Sequence, residues 1–202
     1  ILEQFELAHI WDCDKETGVW KKTSRLQSSV PPEILFIERC TQFLAPGGRM
    51  GIVLPDSILG SPGLGYIREW IIQNHRIVAS IDLNADTFQP RNGTQTSVLI
   101  LQKKTQEQRD AEEKSGKMAD YNIFMAMVEK VGHDKRGNPL FKRDKEGNEI
   151  LVPDTNSVLV LGETGEGQRT VSHEQKVKVE DDQTPDVPAI FAEWKKQEGL
   201  GW

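Results

Sequence analysis

PPEILFIERCTQFLAPGGRMGIVLPDSILGSPGLGYIREWIIQNHRIVASIDL, residues 31–83, decides the fold. It reads as helix, strand, helix, strand. Pro31 and Pro32 suit a first helical turn, where a backbone N–H has no partner anyway, and Glu33 suits the positive end of the helix dipole. Phe36, Cys40, Phe43 and Leu44 recur at helical spacing and predict one apolar stripe. Gly47 and Gly48 then stop the helix, because glycine enters the left-handed region cheaply. Residues 50–54 are a short, nearly unbroken apolar run, which suits a strand covered on both faces. Ser61 and Pro62 predict the cap and first position of a second helix, with Leu64, Ile67, Trp70 and Ile71 on one side. Residues 77–83 are the next strand. Such alternation implies right-handed crossovers and a mostly parallel sheet with helices on both faces.

Downstream, Pro90-Arg91-Asn92-Gly93 is turn chemistry, and residues 97–101 form an apolar strand. No helix separates this strand from 77–83, so the two are expected to pair antiparallel. The α/β fold expected here is therefore a mostly parallel sheet that ends in an antiparallel strand pair. Residues 105–119 are polar and charge-dense and read as a mobile loop rather than an exposed helix. Residues 122–131 predict a further strand at the sheet edge. A hairpin is expected around Glu146-Gly147-Asn148. Residues 153–187 are polar and turn-rich, without a clear period. Asp186-Val187-Pro188 opens a final short helix with Ile190, Phe191 and Trp194 on its apolar side. No internal repeat is evident. The division expected is residues 1–132 as one unit and 133–202 as a hairpin-rich extension.

Upstream, residues 1–14 carry enough apolar side chains to pack on something, as a short helix or an ordered loop. Trp20 lies between polar residues and Lys21-Lys22. It either stacks on a base or plugs its loop onto the core. The 202 residues carry a net charge of −6, so bulk electrostatics does not make this a basic nucleic-acid binder. Residues 133–145 are nevertheless locally basic, and a local surface can act against the net charge. Cys13 and Cys40 supply neither a disulfide framework nor zinc spacing. No run is long enough to span a membrane, and no signal peptide is visible, which points to the cytoplasm.

Three segments imitate nucleotide motifs. GSPGLG (60–65) lies between a strand and a helix, but Pro62 interrupts it and it starts too far from the strand. GETGEG (162–167) lacks the Lys-Ser/Thr of a phosphate loop. Val30-Pro31-Pro32-Glu33 lacks the Asn and the aromatic of an amino-methyltransferase tetrad. His9, His75, His133 and His173 are scattered, without metal-ligand spacing. His75, at a helix end, is assigned a structural role in which its partial positive charge suits the dipole. No complete catalytic site can be assembled.

The runs 31–59, 66–83 and TFQPRNGTQTSVLILQKK (87–104) closely resemble the DNA-methylating modification subunit of type I restriction–modification systems. IFMAMVEKVGHDKRGNPLFK (123–142) also looks like the segment after that family's last core strand. The resemblance covers about residues 1–145 and is weak over 150–202. It implies a partial Rossmann-like, S-adenosylmethionine-dependent methyltransferase fold acting on adenine N6 in DNA. It implies DNA, a specificity subunit and a restriction subunit as partners. In this family the S-adenosyl-L-methionine loop and the Asn-Pro-Pro-Phe tetrad lie upstream of the stretch seen here, and ILEQFELAHIW (1–11) looks like the segment just after the tetrad. The chain, which begins at Ile1, is accordingly expected to be the second half of a catalytic domain, inactive by itself and prone to self-association through an exposed sheet edge. The alternative is a non-catalytic module of the same fold for DNA binding or specificity-subunit docking.

One functional position carries over. Phe88 stands where related adenine methyltransferases place an aromatic that stacks on the flipped-out base; its bland role is to pack under the loop. Arg91 in the same loop is a candidate for a DNA phosphate. Pro55 and Asp56 end the first strand at the carboxyl edge, where such sheets bind ligands, and are candidates for lining the pocket.

Overall fold

The computed structural model describes residues 1–161 and 168–202. Two short 3-10 turns open the chain, followed by the antiparallel pair β1 (His9–Cys13) and β2 (Trp20–Leu26). Helix α1 (Pro32–Phe43), strand β3 (Arg49–Pro55), helix α2 (Asp56–Gly60), helix α3 (Gly65–Asn74) and strand β4 (His75–Asp82) come next. Strand β5 (Thr96–Lys103), helix α4 (Gln106–Ser115) and strand β6 (Phe124–Met127) complete the central unit. Strands β7 (Leu151–Leu161) and β8 (Gln168–Lys178) and helix α5 (Asp186–Gln197) end the chain. GETGEG, 162–167, lies outside the described residues.

The central sheet has the order β3-β5-β4-β6. β5 runs antiparallel to both neighbours, with Ile77 opposite Leu101 and Ile81 opposite Val98, so the expected antiparallel pair is present. β6 joins the far edge parallel to β4, as the edge-strand reading anticipated. The sheet is mixed. β3, β4 and β6 share one direction, but β4–β6 is its single parallel ladder.

Two expectations about the first helix and strand are overturned together. The buried face of α1 is Ile34, Ile37, Glu38 and Thr41, whereas Phe36 is 60% and Phe43 81% exposed. The predicted stripe is real, but it is a second apolar face turned outward. β3 is not covered on both faces either. Met50, Ile52 and Leu54 face the core with Leu99 and Leu101, while Val53 is 49% exposed. The reason is positional: β3 bonds only to β5 among the described strands and is an open edge. Phe36, Cys40, Ile52 and Val53 line a shallow groove beside that edge.

Opposite the α1/α3 core, Gly51, Ile100, Ala79 and Phe124 form one cross-strand row. Helix α5 covers its far end. Phe191 and Trp194 pack on Phe124 at 5.2 and 5.6 Å, and the Arg49 guanidinium lies 4.2 Å from the Trp202 ring. Ile190, expected on the apolar side, is instead 59% exposed.

Residues 1–14 are ordered by Glu38. Its buried carboxylate accepts the backbone N–H groups of Glu6 and Leu7, both at 2.9 Å. Trp20 plugs its loop onto the core, 5.9 Å from the Tyr66 ring. A Cβ added at Gly65 would lie 2.6 Å from Trp20 Nε1, so the last glycine of GSPGLG serves close packing. We expect Gly65→Ala to displace this indole and cost about 1–3 kcal/mol. A lowered Tm with red-shifted tryptophan fluorescence would show it; an unchanged melt would refute the packing role. Ser61 does not cap α3 with its side chain. The helix begins at Gly65, after a 3-10 turn at Pro62–Leu64, and the Ser61 carbonyl accepts a bond from Arg68.

Residues 105–119 contain a helix. Thr105 and Gln108 form a reciprocal capping box, Gly116 takes the left-handed C-terminal position at φ +64°, and those local bonds offset the polar composition. His75 is fully buried and carries no favourable charge. Burial pushes its pKa down to about 4, against the backbone bond to Ile71 and together with Lys103 and Lys104. The 153–187 stretch, read as turn-rich, holds the β7–β8 ribbon, whose eleven residue pairs run from Leu151↔Lys178 to Leu161↔Gln168. A short repeat also emerges. Asp134-Lys-Arg-Gly-Asn138 and Asp144-Lys-Glu-Gly-Asn148 close two successive hairpins, the second at the expected place. The returning chain at 179–183 threads alongside both.

Candidate functional site

The candidate residues gather at one end of the sheet, where β3 and β4 finish and β5 begins. Pro55 is the last residue of β3 and lies opposite Thr96. Asp56 is tied down twice: its N–H donates to the Gln95 carbonyl at 3.1 Å, and the Ser97 hydroxyl donates to its carboxylate at 2.8 Å. Asp56 is therefore half-buried and braced against the start of β5. Thr96 is buried, and its hydroxyl has no hydrogen-bond partner among the described residues.

The loop between β4 and β5 carries the other two candidates. Its first half is a knot around Asn84, whose side chain bonds the Glu129 carbonyl and accepts the Asp86 N–H. The Asn84 carbonyl accepts both the N–H and the hydroxyl of Thr87. The Phe88 carbonyl then accepts the N–H groups of Arg91 and Asn92, at 3.2 and 3.0 Å. A cis Gln89–Pro90 bond lies inside this turn. The loop is thus bonded from both ends, and its head presents Phe88, 43% exposed, beside the exposed Arg91. An aromatic face held half out of the surface by a rigid turn can accept a planar partner at small entropic cost.

The structure therefore places Phe88 and Arg91 in one turn, and Pro55 and Asp56 at the root of the same loop, joined through Gln95 and Ser97. It also brings in a group the sequence reading set apart. The tip of the first hairpin packs on the loop: a Cβ at Gly137 would lie 3.3 Å from Pro90 Cδ. Lys135 and Arg136 beside it are exposed. The locally basic composition of 133–145 was the signal for these residues; nothing in the sequence pointed to Thr96.

GSPGLG does not form a nucleotide cradle. It closes α2, makes a 3-10 turn and starts α3, with Gly65 filled by Trp20. No group of three or more His, Cys, Asp or Glu among the described residues can hold a metal ion, and no helix there is long and apolar enough to cross a membrane.

A family model for N-6 DNA methylases matches residues 8–150. No curated protein matches the chain. Among solved structures, the chain overlaps a protein described as a class I S-adenosylmethionine-dependent methyltransferase from Listeria monocytogenes at 20% identity and TM-score 0.39, over 52% of this chain and 30% of that one. It overlaps a protein described as the modification subunit of a type I restriction enzyme from Vibrio vulnificus at 16% identity and TM-score 0.35, over 57% and 22%. The chain thus spans less than a third of the length of each.

Proposed function

The chain belongs to the N-6 DNA methylase family, and from that premise we propose that it forms part of an adenine-N6-specific DNA methyltransferase, the modification subunit of a type I restriction–modification system. The reaction moves a methyl group to the exocyclic nitrogen of an adenine in DNA. The observation that carries this reading is the exposed Phe88 at the head of a braced loop on the carboxyl edge of the sheet. A base inside a duplex is out of reach, so such an enzyme extrudes it and needs an apolar face to hold it. Phe88 supplies that face. Arg91 meets a flanking phosphate, and Pro55 and Asp56 line the side of the pocket.

S-adenosylmethionine would supply the methyl group as a sulfonium. The described residues do not fit a cradle for it, since their one glycine-rich strand-to-helix segment is filled by Trp20. In the family it resembles, the cofactor loop and the Asn-Pro-Pro-Phe tetrad come before the segment matched here. The role of this chain is to hold the base and exclude water from one side of it.

Phe88→Ala in the complete subunit should lower methyl transfer about 5- to 150-fold, the range for losing one aromatic–base stack. Cofactor affinity should stay unchanged. Equal loss of cofactor binding would assign Phe88 to folding instead. A second reading, docking of a specificity subunit, has its own support in the β7–β8 ribbon, whose strands pair only with each other among the described residues. At ~3.3 Å per residue such a ribbon reaches roughly 36 Å.

A further inference from the structure

We propose that the first Asp-Lys-Arg-Gly-Asn turn, residues 134–138, is a phosphate clamp that grips the DNA backbone beside the extruded base. The proposal rests on the reading of Phe88 as the base-holding residue and adds a second, separate element to it.

The turn is built to be stiff. One oxygen of the Asp134 carboxylate accepts the N–H groups of Arg136 and Asn138, at 2.8 and 2.9 Å, and the other accepts the Asn138 amide at 2.9 Å. The hydrogen bonds from Asn138 hold this carboxyl below the usual Asp range. Asp134 is thus engaged inside its own turn. Lys135 and Arg136, at the tip, are exposed, and neither forms an ion pair among the described residues. The acids of the returning strand lie lower. Asp181 pairs with Lys130 at 2.8 Å, and Glu180 and Asp182 flank Gly132 at the hairpin root.

The position of the turn names the ligand. Gly137, at φ +81°, leaves room for Pro90 and seats the tip on the loop that presents Phe88 and Arg91. The tip that carries Lys135 and Arg136 therefore meets the loop that carries Arg91 and the exposed Phe88. A flipped base leaves its own phosphates at the mouth of the pocket, and cations around an aromatic platform suit that polyanion. The second turn repeats the internal bonds of the first, with Asp144 accepting from Glu146 and Asn148 at 3.0 and 2.8 Å. Its tip, however, carries Glu146 where the first has Arg136, and the neighbouring Arg143 is engaged by Glu149 and the Gly147 carbonyl. The clamp is assigned to the first turn alone.

The test is the double variant Lys135→Ala/Arg136→Ala in the complete subunit, with duplex affinity measured as a function of salt. Both side chains are exposed and Gly137 is kept, so the thermal melt should match the parent. Affinity at low salt should fall by about tenfold or more, equally for cognate and non-cognate duplexes. The slope of log affinity against log salt should shrink by about 2, at ~0.9 per phosphate contact. S-adenosylmethionine binding should not change. An unchanged salt slope overturns the clamp, and so does lost subunit assembly with an unchanged slope. Phe88→Ala run beside it separates the two ideas. If only Phe88→Ala impairs methyl transfer and the double variant binds DNA normally, the clamp falls and the base-holding loop stands. If the double variant weakens DNA binding while Phe88→Ala leaves methyl transfer unchanged, the clamp stands and the base-holding role falls.

Discussion

Glu38→Ala is expected to cost about 2–4 kcal/mol of folding stability, since each buried donor left without a partner forfeits about 1–3 kcal/mol. Glu38 is 4% exposed, yet its carboxylate holds the N–H groups of two successive residues, Glu6 and Leu7. Alanine leaves the buried Leu7 N–H and the part-buried Glu6 N–H without their acceptor. The effect should spread, because Glu6 accepts the indole N–H of Trp70 at 2.8 Å and the ammonium of Lys22 at 2.7 Å. Releasing the first turns therefore loosens Trp70, which belongs to the central core. Denaturant titration would read the loss, and hydrogen exchange at residues 6 and 7 would locate it. Glu38→Gln, which keeps one good acceptor, should fall between parent and alanine. A change below about 0.5 kcal/mol, the size of an ordinary surface substitution, would refute the anchoring role.

Acid should weaken the protein through His75. This ring sits fully buried between Thr41, whose hydroxyl is 3.0 Å from Nε2, and the Ile71 carbonyl, 3.2 Å from Nδ1. A carbonyl only accepts, so Nδ1 carries the proton, and the neutral Nε2 shares the single Thr41 hydroxyl proton with the Ile37 carbonyl, 2.8 Å from that hydroxyl. Burial lowers its pKa from 6.5 to about 4. Above pH 6.5 the folded and unfolded chains are both neutral there, and the ring has no effect on pH dependence. As the pH falls below 6.5 the unfolded chain takes up a proton that the folded chain refuses. Stability is lost from that point until the folded ring protonates near pH 4, for a total of roughly 3 kcal/mol. Comparing parent and His75→Gln at pH 7.5 and 4.5 isolates this share from the carboxylates. Identical acid sensitivity in the two proteins, or an imidazole that titrates near 6.5 by NMR, would refute it.

The β4–β5 pairing was legible because Pro90-Arg91-Asn92-Gly93 leaves no space for a crossover helix. Its placement between β3 and β4 was not, since spacing along a chain does not say which side of a strand is vacant. Helix α1 shows a different limit. Phe36, Cys40 and Phe43 satisfy the helical period as well as Ile34, Ile37 and Thr41 do, and periodicity cannot choose which of two apolar faces meets the core. The charge of residues 105–119 hid a signal that was readable, since Thr105 three residues before Gln108 is a capping box. At the candidate site, Phe88 was named from the family resemblance, which puts an aromatic before the last core strand, and Arg91 from sharing its loop. The approach of Gly137 to Pro90 was not foreseen, because a contact between distant segments leaves no local trace in either.

The insertion of β5 has a kinetic consequence. β3 and β4 belong to one sheet, yet each bonds to β5 and not to the other. Neither gains a ladder with its neighbour in the 3-5-4 trio until residues 96–103 arrive, so sheet closure is a late, non-local event, and such closures slow folding. On a ribosome, the emergence of Lys103 marks the earliest moment at which the nascent trio can lock. Until then its apolar strands remain clients for a chaperone.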